Sequence, residues 1–145
     1  MKVFTVRLEV AVRRLIELAK ETKRNGSNAA EDPLIRDRIA QLWTEFQALR
    51  FTNLRAFSHL LATGIPGPEG SAAKMMYSNA NERLTKLALE IEGQASMLAS
   101  GEHAVHDGVW QRAQLRSRGN AIEGGTSEIL RNIIAERVLN LPRSR

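Results

Sequence analysis

Asp32-Pro33-Leu34-Ile35-Arg36-Asp37-Arg38-Ile39-Ala40-Gln41-Leu42-Trp43-Thr44-Glu45-Phe46-Gln47-Ala48-Leu49 is the stretch that decides the architecture. Ile35, Ile39, Leu42, Phe46 and Leu49 recur in alternating steps of four and three, which puts them on one side of an α-helix. Asp32 is a natural N-cap, and Pro33 suits the first helical position, where no amide hydrogen is needed. The seam continues through Phe57 and Leu60 and stops at Gly64-Ile65-Pro66-Gly67-Pro68.

Helical periodicity extends to both sides. Upstream, from about Val3 to Lys23, Val3, Val6, Val10, Leu15 and Leu18 keep an approximate stripe, and Asn25-Gly26-Ser27-Asn28 reads as a helix stop and loop. Downstream, Ala73, Met76, Ala80, Leu84, Leu87, Ile91 and Leu98 predict a third helix ending near Ser100-Gly101. A shorter helix is predicted around Val109–Arg118, and a last one after Gly124-Gly125-Thr126 to about Asn140, where Ile129, Ile133, Arg137 and Leu141, with Leu130, Ile134 and Val138 beside them, give a wide apolar face. No strand-like alternation, fixed-period repeat or low-complexity tract competes. The expected fold is all-α: an antiparallel four-helix bundle with a terminal helix, in one domain spanning residues 1–145.

Composition agrees with a globular domain. Of 145 residues, 43% are hydrophobic and 26% charged, and there is no cysteine to form a disulfide or a thiolate metal site. The net charge of +5 reads first as a solvated surface with some excess Lys and Arg, because the basic residues are scattered among acids. It also suits an anionic small molecule such as a nucleotide or a CoA ester, and a nucleic-acid partner is not expected. Met1-Lys2-Val3-Phe4 lacks the apolar core of a secretion signal. Nothing approaches the roughly 18 uninterrupted apolar residues of a membrane span. The expected location is the cytoplasm. His103 and His106 are spaced to share a helix face, but no third ligand accompanies them, so no metal site is expected. His59 is expected at the core or its edge, Trp43 and Trp110 in packing roles, and Met75-Met76 as core filler.

The chemistry is expected at the turn before the last helix, Ala121-Ile122-Glu123-Gly124-Gly125-Thr126-Ser127-Glu128-Ile129-Leu130. The glycines permit close backbone approach and unusual dihedrals. Thr126 or Ser127 can cap the helix, whose first N–H groups remain free to donate to an anionic or carbonyl-rich ligand. The same pattern also serves as an ordinary cap and turn.

This segment, with the run Arg131-Asn132-Ile133-Ile134-Ala135-Glu136-Arg137-Val138-Leu139-Asn140-Leu141-Pro142-Arg143, resembles the C-terminal domain of bacterial, flavin-dependent acyl-CoA dehydrogenases. Echoes of the family extend over Glu31–Arg36, Gly64–Glu69 with Lys74, and Glu90–Gly93. The resemblance implies oxidation of an acyl-CoA thioester to the trans-2-enoyl-CoA. A carboxylate removes the α proton, and FAD accepts the β hydrogen as hydride. It implies that Thr126, Ser127 and Glu128 contact the flavin or its ribityl and phosphate portion, and that Gly125 lies near the substrate thioester. The family base commonly stands directly before Gly-Thr-Ser, a slot that Gly124 fills here. Glu123, one position earlier, is the candidate base; the alternative is a base elsewhere, since some relatives take theirs from a Glu-Arg pair on the opening helix, which this chain lacks. The Arg-x-x-Phe-Gly segment of many relatives is replaced by Lys23–Glu31.

The family's N-terminal helical and middle β domains have no counterpart in these residues, so the isolated chain is expected to be inactive. A homo- or hetero-oligomer assembled through the bundle is expected. The competing expectation is a non-catalytic helical oligomerisation subunit derived from the same family.

Overall fold

The computed structural model describes residues 2–143, the side chains of Lys2 and Val3 excepted. Helix α1 (Lys2–Glu21) leads into a short ribbon of β1 (Lys23–Arg24) and β2 (Ser27–Asn28), followed by a 3-10 turn at Ala29–Glu31. Helix α2 (Pro33–Thr63), α3 (Glu69–Glu92), 3-10 turns at Gly93–Met97 and Val105–Gly108, α4 (Val109–Ile122) and α5 (Ser127–Arg137) complete the order. Helix α3 is central and packs against α1, α2, α4 and α5. The all-α bundle with a terminal helix is therefore observed.

Local chemistry explains the helix ends. The Asp32 carboxylate accepts from Leu34 N at 2.9 Å and Ile35 N at 3.5 Å, capping α2. Gly64, at φ 71°, ends that helix by donating its N–H to Leu60 O at 2.8 Å. The core joins Leu8, Val12, Leu15 and Leu18 of α1 to Ile35, Leu42, Phe46 and Leu49 of α2. Tyr77, Leu84, Leu87 and Ile91 of α3 and Trp110 of α4 close it.

Several expectations need correction. Asn25-Gly26 does more than stop a helix: both residues have positive φ (50° and 87°), the signature of a tight hairpin turn, and they pair Lys23 with Asn28 and Arg24 with Ser27. The predicted α1 stripe mixed two faces. Leu15 and Leu18 are buried, but Val6 and Val10 are 58% and 42% exposed, and the bundle side is filled by Leu8, Val12 and Ala19. The side chain of Val3 lies outside the described residues. On α2 the buried seam runs on through Asn53 and Ala56, which sit in line with Leu49, while Phe57 turns outward.

Helix α3 ends at Glu92, where Gly93 at φ 60° breaks the α geometry, so Leu98 is not on its buried face. Helix α4 passes through Gly119 and Asn120 to Ile122, because one interior glycine costs only about 1 kcal/mol and Asn120 is buried with partners. Helix α5 stops at Arg137; only Leu130 of its apolar residues is buried, and Ile129, Val138 and Leu139 are exposed.

Among the other residues singled out, His59 is exposed on α2. His106 stands at φ 46°, off any helix, with Nε2 3.0 Å from Glu21 Oε2. Trp43 packs on Phe46, with ring centroids 5.1 Å apart. Met76 packs against the core from a half-buried position.

Candidate functional site at the turn between α4 and α5

Helix α4 closes at Glu123, whose N–H reaches Gly119 O at 2.9 Å. Gly124 and Gly125 follow at φ 69° and 104°. Residues with a Cβ rarely adopt either value, so the two glycines are what lets the chain reverse here. Thr126 is extended and caps α5: its Oγ1 accepts from Ile129 N at 3.5 Å, and its carbonyl accepts from Leu130 N at 3.0 Å. Leu130 then anchors α5 in the bundle. The predicted cap and helix start are both present.

The turn is held from below by a polar face of α3. Lys74 is only 9% exposed, and its Nζ donates to Gly125 O at 2.6 Å and Ala121 O at 3.2 Å. The Ser78 hydroxyl lies 3.0 Å from both Lys74 O and Asn120 O. Asn81 Nδ2 donates to Asn120 Oδ1 at 3.2 Å, and the Thr85 hydroxyl bonds Gln114. Lys74, Ser78, Asn81 and Thr85 follow one another at steps of four, three and four, so all four point toward α4 and its exit. Of these the sequence marks only Lys74, through the family resemblance and without a role. The signal was present as a polar stripe at helical spacing beside the apolar one on the same helix.

Glu123 and Glu128 flank the turn, both exposed. Arg116 Nη2 donates to Glu123 Oε2 at 2.5 Å, and the Asn120 amide donates to its other oxygen. The Arg116 contact, then that of Asn120, holds the Glu123 carboxyl below the usual range. Glu128 is also lowered, first by its own main-chain N–H and next by the Thr126 hydroxyl. Its carboxylate thus sits over the start of α5, where negative charge is favoured. Gly125, Thr126 and Ser127 are half-buried. The five predicted site residues, Glu123 and Gly125 to Glu128, are therefore gathered on one short segment. Among the described residues no three or more His, Asp or Glu side chains gather as a metal site. No described helix is long and apolar enough to cross a membrane.

The sequence model of the family "Acyl-CoA dehydrogenase, C-terminal domain" matches residues 4–139. Acyl-CoA dehydrogenase IpdE1 of Mycolicibacterium smegmatis is 44% identical over 133 residues, which cover 89% of this chain and 30% of that protein. The chain thus spans about a third of the length of this relative. In structure it resembles a chain of the ChsE4-ChsE5 complex from Mycobacterium tuberculosis, with a TM-score of 0.82 and 24% identity over 97% of this chain and 37% of that one. It also resembles PigA in its FAD complex, with a TM-score of 0.78 and 22% identity over 95% of this chain and 34% of that one.

Proposed function

The chain belongs to the acyl-CoA dehydrogenase family through its C-terminal domain, and from this we propose that the α4–α5 turn is one wall of a site that oxidises an acyl-CoA thioester to the trans-2-enoyl-CoA with FAD. The observation that supports this reading best is the turn itself: two left-handed glycines, a Thr126-capped helix start and Glu123 on one segment fixed to α3.

The residues fit an acceptor-rich edge of a flavin. Helix α5 has 11 residues, and the N–H groups of its first turn have no partners within the helix. The Thr126 hydroxyl and the Ser127 and Glu128 N–H groups are the donors we assign to the cofactor. Two of them, the Glu128 N–H first and the Thr126 hydroxyl next, also lower the Glu128 carboxyl, so negative charge is favoured at this helix start. When bound, FAD supplies the acceptor for the β hydrogen.

The chain's own residues do the rest. Gly125 is the position we place beside the thioester, where its left-handed backbone brings the main chain close. Glu123 is our candidate for the group that accepts the α proton. Arg116 keeps it ionised, the state a base needs, but lowers its basicity, so the ion pair must loosen for it to act. Glu123, Gly124 and Glu128 are exposed, so the turn alone leaves a reacting thioester in water, and we expect little turnover from the isolated chain. We further assign it to the cytoplasm and to an oligomer built through the bundle. Phe51, Leu54 and Leu61 of α2, each more than half exposed, support the latter, as does the two-protein complex named for ChsE4 and ChsE5.

Two observations favour a second reading. Gly124 occupies the slot of the usual base, and Glu123 is engaged by Arg116 and Asn120. A non-catalytic subunit that contributes only this wall fits both facts.

Titration of the chain with FAD tests the site, using Thr126→Val and Glu123→Gln. Thr126→Val weakens FAD binding by about tenfold if the hydroxyl donates to the cofactor. Equal affinity in Thr126→Val and wild type sinks the assignment. Glu123→Gln leaves FAD affinity unchanged under either reading. In the assembled enzyme it abolishes flavin bleaching by acyl-CoA only if Glu123 is the base.

A further inference from the structure

We infer that Lys74 is a positioning residue for this site: its buried ammonium clamps both ends of the α4–α5 turn and sets where Gly125 and the start of α5 stand. The inference rests on the proposed role of that turn and adds a residue on a different helix, more than forty positions earlier in the chain.

The clamp is geometric. Nζ reaches Ala121 O on one side of Glu123-Gly124 and Gly125 O on the other, at 3.2 and 2.6 Å. A single cation therefore fixes the span that carries the candidate base and both left-handed glycines. Glycines give a turn wide backbone freedom, and a turn with two of them holds one shape only if it is tied from outside. Ser78, one turn along α3, adds a tie at Asn120 O in the same direction.

The energetics point the same way. Lys74 is 9% exposed, and both its hydrogen-bond partners are main-chain carbonyls. Burying an ammonium whose bonded partners are neutral carbonyls is costly, even with the Glu123 carboxylate near enough to feel its charge. The cost is partly offset because Ala121 O lies at the C-terminal end of α4, where carbonyls lack helical partners and positive charge is favoured. Packing alone would be served better by an apolar side chain, as at its neighbours Ala73 and Tyr77 on the same helix. An ammonium does what those cannot: it donates in several directions at once and pins two carbonyls at fixed points. A shift of about 1 Å in a substrate-facing backbone is enough to matter for reactivity.

The absence of cysteine makes a clean test possible. Lys74→Cys carries a single thiol. Alkylating it with 2-bromoethylamine in denaturant, where the thiolate displaces bromide, rebuilds an ammonium at lysine length. Lys74→Met provides a second charge-free variant. Two readouts are taken on the full chain: amide hydrogen exchange along residues 119–130, and FAD affinity by titration.

The expected result is exchange about tenfold faster at the amides of Gly125 to Ile129 in both variants, with α1 and α2 unchanged, and FAD affinity about tenfold weaker. Aminoethylation of Lys74→Cys restores both. Wild-type exchange in Lys74→Met would overturn the clamp. Faster exchange with unchanged FAD affinity would overturn the positioning role and reduce Lys74 to a cap of α4. A wild-type chain that binds no FAD, alone or assembled, would overturn the reading of the turn and with it the positioning role, while the exchange data would still decide the clamp.

Discussion

Arg116 Nη2 lies 2.5 Å from Glu123 Oε2, so the carboxylate that closes α4 is held by an arginine two turns back on the same helix. The pair is surface-exposed, and its effect is on titration more than on stability. Arg116 is the first cause of the lowered Glu123 carboxyl, ahead of Asn120. A lowered carboxyl in the folded state favours folding above its unfolded value and loses that contribution as pH falls through the folded value. Arg116→Met should therefore raise the Glu123 midpoint toward the ordinary 4.5, followed by the carboxyl carbon shift in NMR. An unmoved midpoint would show that the ion pair is not formed in solution.

Glu92 carries the opposite sign. It is 7% exposed; Gln111 Nε2 donates to its Oε2 at 2.6 Å and to Ser96 O at 3.1 Å. Burial pushes the carboxyl up from its ordinary 4.5, and the Gln111 bond only partly opposes this. Folding is unpenalised below the unfolded value and loses stability as pH rises from there through the raised folded value. Glu92 Oε1 and Gln111 Oε1 are both buried without a partner. Glu92→Gln supplies an amide donor in their place and should flatten that fall and add about 1 kcal/mol at neutral pH. Urea midpoints measured from acid to neutral pH for both proteins check this, and parallel curves would contradict it.

Gly108 and Gly64 separate strain from collision. Both are left-handed, at φ 68° and 71°. A Cβ on Gly108 would stand 2.1 Å from Ala99 O, whereas one on Gly64 would meet nothing within 4 Å. Gly64→Ala should cost about 1 kcal/mol, for the backbone conformation alone. Gly108→Ala should cost more than about 2 kcal/mol, because a main-chain segment must move as well. Equal losses in equilibrium unfolding would mean that the Ala99 segment does not pack over Gly108.

The parts of the fold legible beforehand are those written locally. Asp32, Pro33 and Gly64 mark the ends of α2, and its early seam has no competing pattern. Thr126 and its glycines announce the start of α5 for the same reason. The side of α1 that faces the bundle was not legible, because valines at 6 and 10 form a second apolar stripe with the same period. They line a groove with Trp110 and Ala113 of α4, a partner that periodicity within α1 cannot reveal. The support of the candidate site was hidden likewise. Lys74 and Gly125 become neighbours only when α3 and the turn meet, and a lone lysine on a helix reads as solvated until then. The hairpin at Asn25-Gly26 is not legible beforehand, because the same two residues also serve as a helix stop.

The most direct measurement is mapping of amide shifts on the 15N-labelled chain titrated with FAD, which registers even weak binding. The largest shifts should fall on Gly125, Thr126, Ser127 and Glu128, with smaller ones at Glu123 and Asn120. Saturating shifts confined to another surface, such as the groove beside Val6, Val10 and Trp110, would contradict the assignment of the α4–α5 turn to the cofactor.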